Sequence, residues 1–326
     1  MNRYILGLDI GGTKTAVILG DFDGQILDRV DFATRPERGF QQTFDQLIEV
    51  LGQVRAKADQ AGHAPTVVSV SIGGPLEIEP GIIHSPPNLP GWDDIPLKDL
   101  LAERTGLPVY VEHDGNAGAL AEWYFGAARG ARNVIFLTMG TGFGGGLILN
   151  GDLYRGTTDL AGEVGHLRIA PGGPIAFGKA GSWEGLCGGN GIARQAMERF
   201  PTRWSATGVT ARDLADLARA GDQDALAVWK EVGRNLGLGL AILIDVLNPE
   251  VIVIGSLAVR LGELVLGPAR EELKREALPG AVAACRIVPA ALGERLGDVA
   301  ALCAAIRAGT GSPRRRKPKG TQPDSA

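Results

Sequence analysis

A strand, a turn rich in glycine and a second strand occur near the start of this chain and again near its middle. In the first copy, strands expected at 4–9 and 15–19 flank Asp9-Ile10-Gly11-Gly12-Thr13-Lys14. In the second, strands at 134–139 and 145–149 enclose Gly140-Thr141-Gly142-Phe143-Gly144-Gly145-Gly146. Without Cβ atoms, adjacent glycines let backbone N–H groups come close to a phosphate. Both turns join strand to strand. That excludes a P-loop or a dinucleotide-binding turn, whose glycines run into a helix. A single turn of this kind also fits an ordinary hairpin. Two of them, one per half, point to two lobes that clamp the phosphates of one nucleotide from opposite sides.

The rest of the pattern fits a duplicated α/β chain. A third strand at 26–32 completes an antiparallel meander. Phe44, Leu47, Ile48, Leu51 and Val54 repeat at helical spacing and predict an amphipathic helix over 40–60. A strand at 67–72, a Pro-rich loop over 73–96, a short helix at 97–104, a strand at 109–112 and a helix at 116–127 follow. After the second glycine turn comes an irregular loop over 156–190. Helices are expected near 191–199, 210–219, 222–247 and 262–276, strands at 251–254 and 286–289, and a last helix at 297–308. The 326 residues suffice for two cores at roughly 100–200 residues each. We expect a small lobe at 1–120, a larger lobe at 121–296, and the last helix packed back on the small lobe.

Charge separates the body from the tail. Residues 311–326 carry five basic side chains and one acid, which leaves 28 basic against 36 acidic residues, about −8, elsewhere. An acidic body argues against nucleic acid as the main ligand. The stretch 309–326 reads as a disordered basic extension. Cys187, Cys285 and Cys303 are too few and too widely spaced for a disulfide framework, which fits a reducing cytoplasm. The N-terminus runs straight into a strand pattern, with no signal-peptide apolar region. The apolar run near 236–247 is broken by Gly237, Gly239 and Asp245, so no membrane span is expected.

Several polar residues carry chemistry in this pattern. Asp9 ends the first strand and suits Mg²⁺ held through water. Thr13 and Lys14 can add a hydroxyl and a charge to the phosphate turn. Asp114 lies between a strand and a helix, where a carboxylate can accept a proton from an attacking hydroxyl or simply cap the helix. Glu163, His166 and Glu184 stand in an otherwise apolar, Gly-rich stretch and suit a polyhydroxylated ligand, or are loop charges.

Taken together, DIGGTKTAVILGD at 9–21, NLPGW at 88–92, HDGNAGALAE at 113–122, LTMGTGFGGGLILNG at 137–151, AGEVGH at 161–166 and LNPEVIVIG at 247–255 resemble the ROK family of sugar kinases and related repressors. The resemblance spans about 3–308. It implies an actin-like ATPase fold, ribonuclease H-like in each lobe, with nucleotide and sugar in the cleft between lobes. It implies ATP and Mg²⁺ as cofactors and Asp114 as the catalytic base. It places the sugar near Gly74, Asn88, His113, Asp114, Glu163, His166 and Glu184. Gly12, Thr13, Lys14, Gly140, Thr141 and Gly142 would hold phosphates, with Gly11 and Gly144 in the same turns, and Gly255 would lie near the adenosine. A homodimer is common in such kinases and is expected here, with no nucleic acid or membrane partner.

Three departures from the family pattern stand out. His113-Asp114 replaces the usual Asn-Asp. The zinc motif CxCGxxGCxE reads Ile175-Ala176-Phe177-Gly178-Lys179-Ala180-Gly181-Ser182-Trp183-Glu184, so three of four ligands are gone and no structural zinc is expected. Ile175 and Phe177 are instead expected to fill the vacated site by apolar packing. The glycine pair near the adenosine reads Gly255-Ser256. Glucose is the expected substrate, with N-acetylmannosamine, N-acetylglucosamine or fructose as alternatives. A catalytically weak sugar-binding regulator is the competing reading. The family's repressors carry a helix-turn-helix before the first phosphate strand, whereas only two residues precede Arg3 here, so a repressor is not expected.

Overall fold

The computed structural model describes residues 3–310. Strands β1 (Tyr4–Ile10), β2 (Lys14–Asp21) and β3 (Ile26–Ala33) form the expected antiparallel meander. Helix α1 (Phe40–Gln60) matches the predicted span and lays Phe44, Leu47, Leu51 and Val54 on the core of this half. It leads into β4 (Pro65–Ile72), which pairs parallel to β1. After α2 (Leu97–Thr105), β5 (Val109–His113) pairs parallel to β4 and completes the order β3-β2-β1-β4-β5. The central β1 therefore buries Ile5, Leu6 and Leu8 completely.

The second sheet repeats this plan. It contains β6 (Val134–Met139), β7 (Phe143–Leu149), β8 (Asp152–Tyr154), β9 (Val251–Ile254) and β10 (Arg286–Pro289) in the order β8-β7-β6-β9-β10. The first three pair antiparallel and the last two add parallel, as in the first sheet. Sequence reading missed β8 because three residues are too few to show alternation. Its entry is a tight hairpin with φ 56° at Asn150 and 81° at Gly151, the backbone that an Asn-Gly turn favours.

Helix α3 (Asp114–Phe125) lies between the two sheets, with Ala117, Ala119, Leu120 and Ala121 fully buried. The lobe boundary expected at 120 thus falls inside a helix, because α3 packs on both halves. Beyond it come α4 (Trp183–Cys187), α5 (Gly189–Arg199), α6 (Ala211–Arg219), α7 (Gln223–Leu247), α8 (Leu257–Leu261) and α9 (Glu263–Glu276). The last helix, α10 (Leu296–Thr310), packs against β1, β4 and α3. It takes in residues 309 and 310 of the expected tail, and 311–326 lie outside the described residues.

Two loops contain more order than their sequences suggested. The Pro-rich loop holds a small sheet of two-residue strands, Leu76–Glu77, Ile82–Ile83 and Ile95–Pro96. His84 staples it, with ring nitrogens 2.6 Å from Asp94 Oδ1 and 2.9 Å from Glu77 Oε1. The carboxylate of Asp94, then that of Glu77, raises the His84 pKa. The irregular stretch over 156–190 holds a single turn at Val164–His166, a hairpin of Ile175–Ala176 with Lys179–Ala180, and α4. Pairs of residues this short carry no periodic signal.

Candidate functional site

Parallel strands bring their carboxyl ends to one place, and there the polar residues gather. Asp9 of β1, Ser71 of β4, Asp114 just after β5, Thr138 of β6 and Ser256 just after β9 line a cavity of about 270 Å³. A larger cleft of about 940 Å³ adjoins it, walled by Gly140-Thr141, the start of α5 at Gly189-Asn190, the start of α6, and α8. Ser256 and Gly293 line both spaces, so the two adjoin there. Glu122 fixes this junction from behind. Its buried carboxylate accepts hydrogen bonds from the backbone N–H groups of Ala127 (2.7 Å), Ala291 (3.1 Å) and Leu292 (2.9 Å).

Asp114 is the first residue of α3, and its side chain is 54% exposed. The N-cap is His113, whose Nδ1 accepts from Gly115 N at 3.2 Å. Gly115 N also donates to Asp114 Oδ1 at 2.6 Å, which orients the carboxylate. The His113 Nδ1 also lies 3.3 Å from Asp114 Oδ1, and its Nε2 faces Glu163 Oε1 at 3.7 Å. A Cβ placed on Gly74 would lie 3.0 Å from His113 Cδ2. Gly74, His113 and Glu163 are therefore contiguous beside Asp114.

Asp9 lines the same small cavity as Asp114. Its pKa is raised to about 6, first by burial and then by the charges of Asp114 and Asp298, with Arg29 and Lys14 opposing. A Cβ on Gly297 would sit 2.8 Å from Asp9 Oδ2, so the start of α10 closes this wall. Carboxylates that repel one another are a fitting donor set for Mg²⁺. Among the described residues no cluster of three His, Cys, Asp or Glu side chains is placed to hold a metal by itself. An ion here would share its ligands with a phosphate.

The two glycine turns do different work along their lengths. In the first, Gly11 N donates to Lys14 O at 3.1 Å, and Thr13 is exposed. A Cβ on Gly12 would lie 2.5 Å from Asn88 O, so this turn and Asn88 touch. Lys14 Nζ lies 3.4 Å from Asp31 Oδ2 at the surface. In the second turn, Gly140 and Thr141 wall the large cleft, and Gly189 N donates to Gly140 O at 2.8 Å. Glu184 Oε2 accepts from Phe143 N at 2.9 Å and lies 2.8 Å from a Cβ placed on Gly142, so Glu184 braces the turn with one oxygen. Gly144 meets only Thr138, at 3.7 Å.

Gly146, with Gly115 facing it, instead lets β7 touch the first turn of α3. A Cβ on Gly115 would lie 2.5 Å from Gly145 O, and one on Gly146 would lie 2.4 Å from Gly115 O. Gly115→Ala should therefore push the His113–Asp114 segment off β7. Overpacking of this kind costs about 1–3 kcal/mol, more than the roughly 1 kcal/mol of helix propensity that Ala gains. The expected result is a lower urea midpoint together with reduced turnover. Unchanged values of both would show that the contact is slack.

The expectation that Ile175 and Phe177 fill a vacated metal site is corrected by the structure. They are 62% and 45% exposed. The hairpin projects them outward because Phe177 and Gly178 form its tip, at φ 53° and 68°. Phe177 stacks on the His166 ring, with centroids 3.5 Å apart and planes at 20°. Ser182 is buried and caps α4, accepting from Gly185 N at 3.2 Å. An aromatic lid and a helix cap thus occupy the zinc stretch.

Sequence reasoning did not find Ser71, Thr138, Asn190, Arg212, Arg260 or Glu294, which line the two spaces. No local motif marks them. Gly255 packs on Phe136, and its neighbour Ser256 lines both cavities, as Gly293 does. Ser256 holds φ 51°, ψ −110°, close to the backbone of Gly262 (φ 52°, ψ −125°) at the other end of α8. Such a conformation favours glycine and costs another residue about 1–3 kcal/mol. Ser256→Gly should raise stability by about 1 kcal/mol once the greater freedom of the unfolded chain is subtracted. A lower thermal midpoint in that variant would count against the strain.

The sequence model of the ROK family matches residues 5–307. The chain belongs to the ROK family. A glucokinase of Halalkalibacterium halodurans is 34% identical to this ROK protein over 316 residues, spanning 91% of this chain and 93% of that one. The structure of a ROK hexokinase from Thermus thermophilus superposes with a TM-score of 0.79 at 35% identity, covering 95% of this chain and 100% of the other. A ROK glucokinase from Streptomyces griseus, solved with glucose and AMPPNP, gives 0.77 at 33% identity over 93% and 98% of the two chains. The shared architecture is the actin-like ATPase fold.

Proposed function

We propose that this protein is an ATP-dependent hexokinase that converts glucose to glucose 6-phosphate. The observation that carries the reading is that the two cavities adjoin at Ser256 and Gly293. The larger opens on Gly140-Thr141 and has room for a nucleotide. The smaller ends on Asp114 and Asp9, where a transferred phosphoryl group would meet a hydroxyl. Asp114, held by Gly115 N, would take the proton of the attacking sugar hydroxyl as its oxygen bonds the γ-phosphorus of ATP and the bond from that phosphorus to the bridging oxygen breaks, releasing ADP. Gly74, Asn88, His113, Glu163, His166 and Glu184 would bind the sugar, and Gly11, Gly12, Thr13, Lys14, Gly140, Thr141, Gly142 and Gly144 the phosphates. The nucleoside would extend past Gly255-Ser256. Mg²⁺ would supply positive charge to the phosphates, held through water at Asp9. The two lobes, 1–120 with the last helix and 121–296, would close on the substrates and exclude water. A homodimer in the cytoplasm completes the reading.

The test is initial rates over a panel of glucose, fructose, mannose, N-acetylmannosamine and N-acetylglucosamine, with ATP, GTP and polyphosphate as donors. We expect the highest kcat/KM for glucose with ATP. Turnover confined to an N-acetylated sugar, or to polyphosphate, would overturn the assignment of substrate or donor.

A further inference from the structure

Beside the proposed base lies a buried ion pair that joins the two halves of the chain. Glu112, the residue before His113, is fully buried, and its carboxylate is saturated with donors. Oε1 accepts from His113 N at 3.1 Å and Asn116 Nδ2 at 3.0 Å. Oε2 accepts from Arg155 Nε at 3.1 Å and Nη2 at 2.5 Å. Arg155 belongs to the second half, one residue beyond β8. Its own carbonyl accepts from Ala161 N at 2.9 Å, which closes the loop that ends at Glu163. The same loop is pinned again to the first half where Asp159 Oδ2 accepts from Ile78 N at 3.1 Å.

We propose that Arg155 is a positioning residue for phosphoryl transfer: through Glu112 it fixes the His113–Asp114 segment, and through its loop it presents Glu163 to the sugar. This rests on the reading that a hexose hydroxyl reacts at Asp114. The base and one sugar contact come from different halves of the chain. A single planar guanidinium sets their spacing because its fork engages Glu112 through two nitrogens at once. A lysine would keep the charge but offer a point contact without the fork.

The experiment compares the wild type, Arg155→Lys and the paired variant Glu112→Gln with Arg155→Met. The paired variant removes both charges, so no unpaired ion is left buried to unfold the protein. In both variants KM for glucose should rise and kcat fall, with kcat/KM for glucose down about 10–100-fold. KM for ATP should stay within about twofold, because the pair does not touch the nucleotide cleft, and Arg155→Lys should lose less than the paired variant. Hydrogen exchange of residues 156–166, measured without substrate, should quicken in both variants. A folded paired variant with wild-type glucose kinetics would overturn the proposal. So would exchange that does not change. If the wild type phosphorylates no hexose, the functional reading fails, and the exchange measurement alone decides whether Arg155 orders the loop.

Discussion

Asp114→Asn should lose about 10²–10⁴-fold in kcat while glucose still binds. The amide is nearly isosteric, and its oxygen can keep the 2.6 Å hydrogen bond from Gly115 N, so the side chain should stay in place. It cannot accept the hydroxyl proton. KM should change little, because the lost interaction belongs to the transition state. Steady-state rates paired with calorimetric titration of glucose check both halves of the expectation. Near wild-type turnover would remove Asp114 from the role of base. Lost binding would make it a sugar ligand first.

Asp9→Asn should give the opposite signs for stability and activity. The Asp9 pKa is raised from 3.8 to about 6 in the folded protein, chiefly by burial. A raised carboxyl pKa means that the folded state holds the proton more tightly than the unfolded chain. Stability is then lost as pH rises from about 4 to about 6, and the full cost is present above that window. The shift corresponds to at most about 3 kcal/mol, less what water at the cavity mouth screens. In Mg²⁺-free buffer the variant should therefore be more stable than wild type at pH 7.5, by about 2 kcal/mol, and equal to it near pH 4. Phosphorylation should fall sharply, because the charge that destabilises the apoprotein is the one that suits a cation. Denaturant titrations at the two pH values decide the matter. A gain that persists at pH 4 would assign the effect to packing and not to charge.

The sequence exposed the parts of this fold whose residues repeat in register. The meander, α1 and the doubled glycine turns carry their own periodicity, and each lies within a residue or two of its expected place. Asp9 and Asp114 stand out in the sequence because one ends a strand-like run and the other follows one. What sequence could not supply is contact across the two halves. Nothing local marks Glu122 as the anchor of 291–292, or Arg155 as the partner of Glu112. Gly146 looks like more phosphate turn, yet its missing side chain admits α3. Hydrophobicity at Ile175 and Phe177 does not bring burial, because a hairpin of two-residue strands has no interior in which to bury them.

The central claim is that Asp114 and the paired cavities move a phosphoryl group from ATP to a sugar hydroxyl. Single-turnover incubation of enzyme with γ-³²P-ATP, Mg²⁺ and glucose tests this most directly. The label should appear in glucose 6-phosphate in step with ADP, little should reach inorganic phosphate, and Asp114→Asn should slow the transfer without redirecting it. Label found mainly in inorganic phosphate, or transfer equally fast in the Asp114 variant, would contradict it.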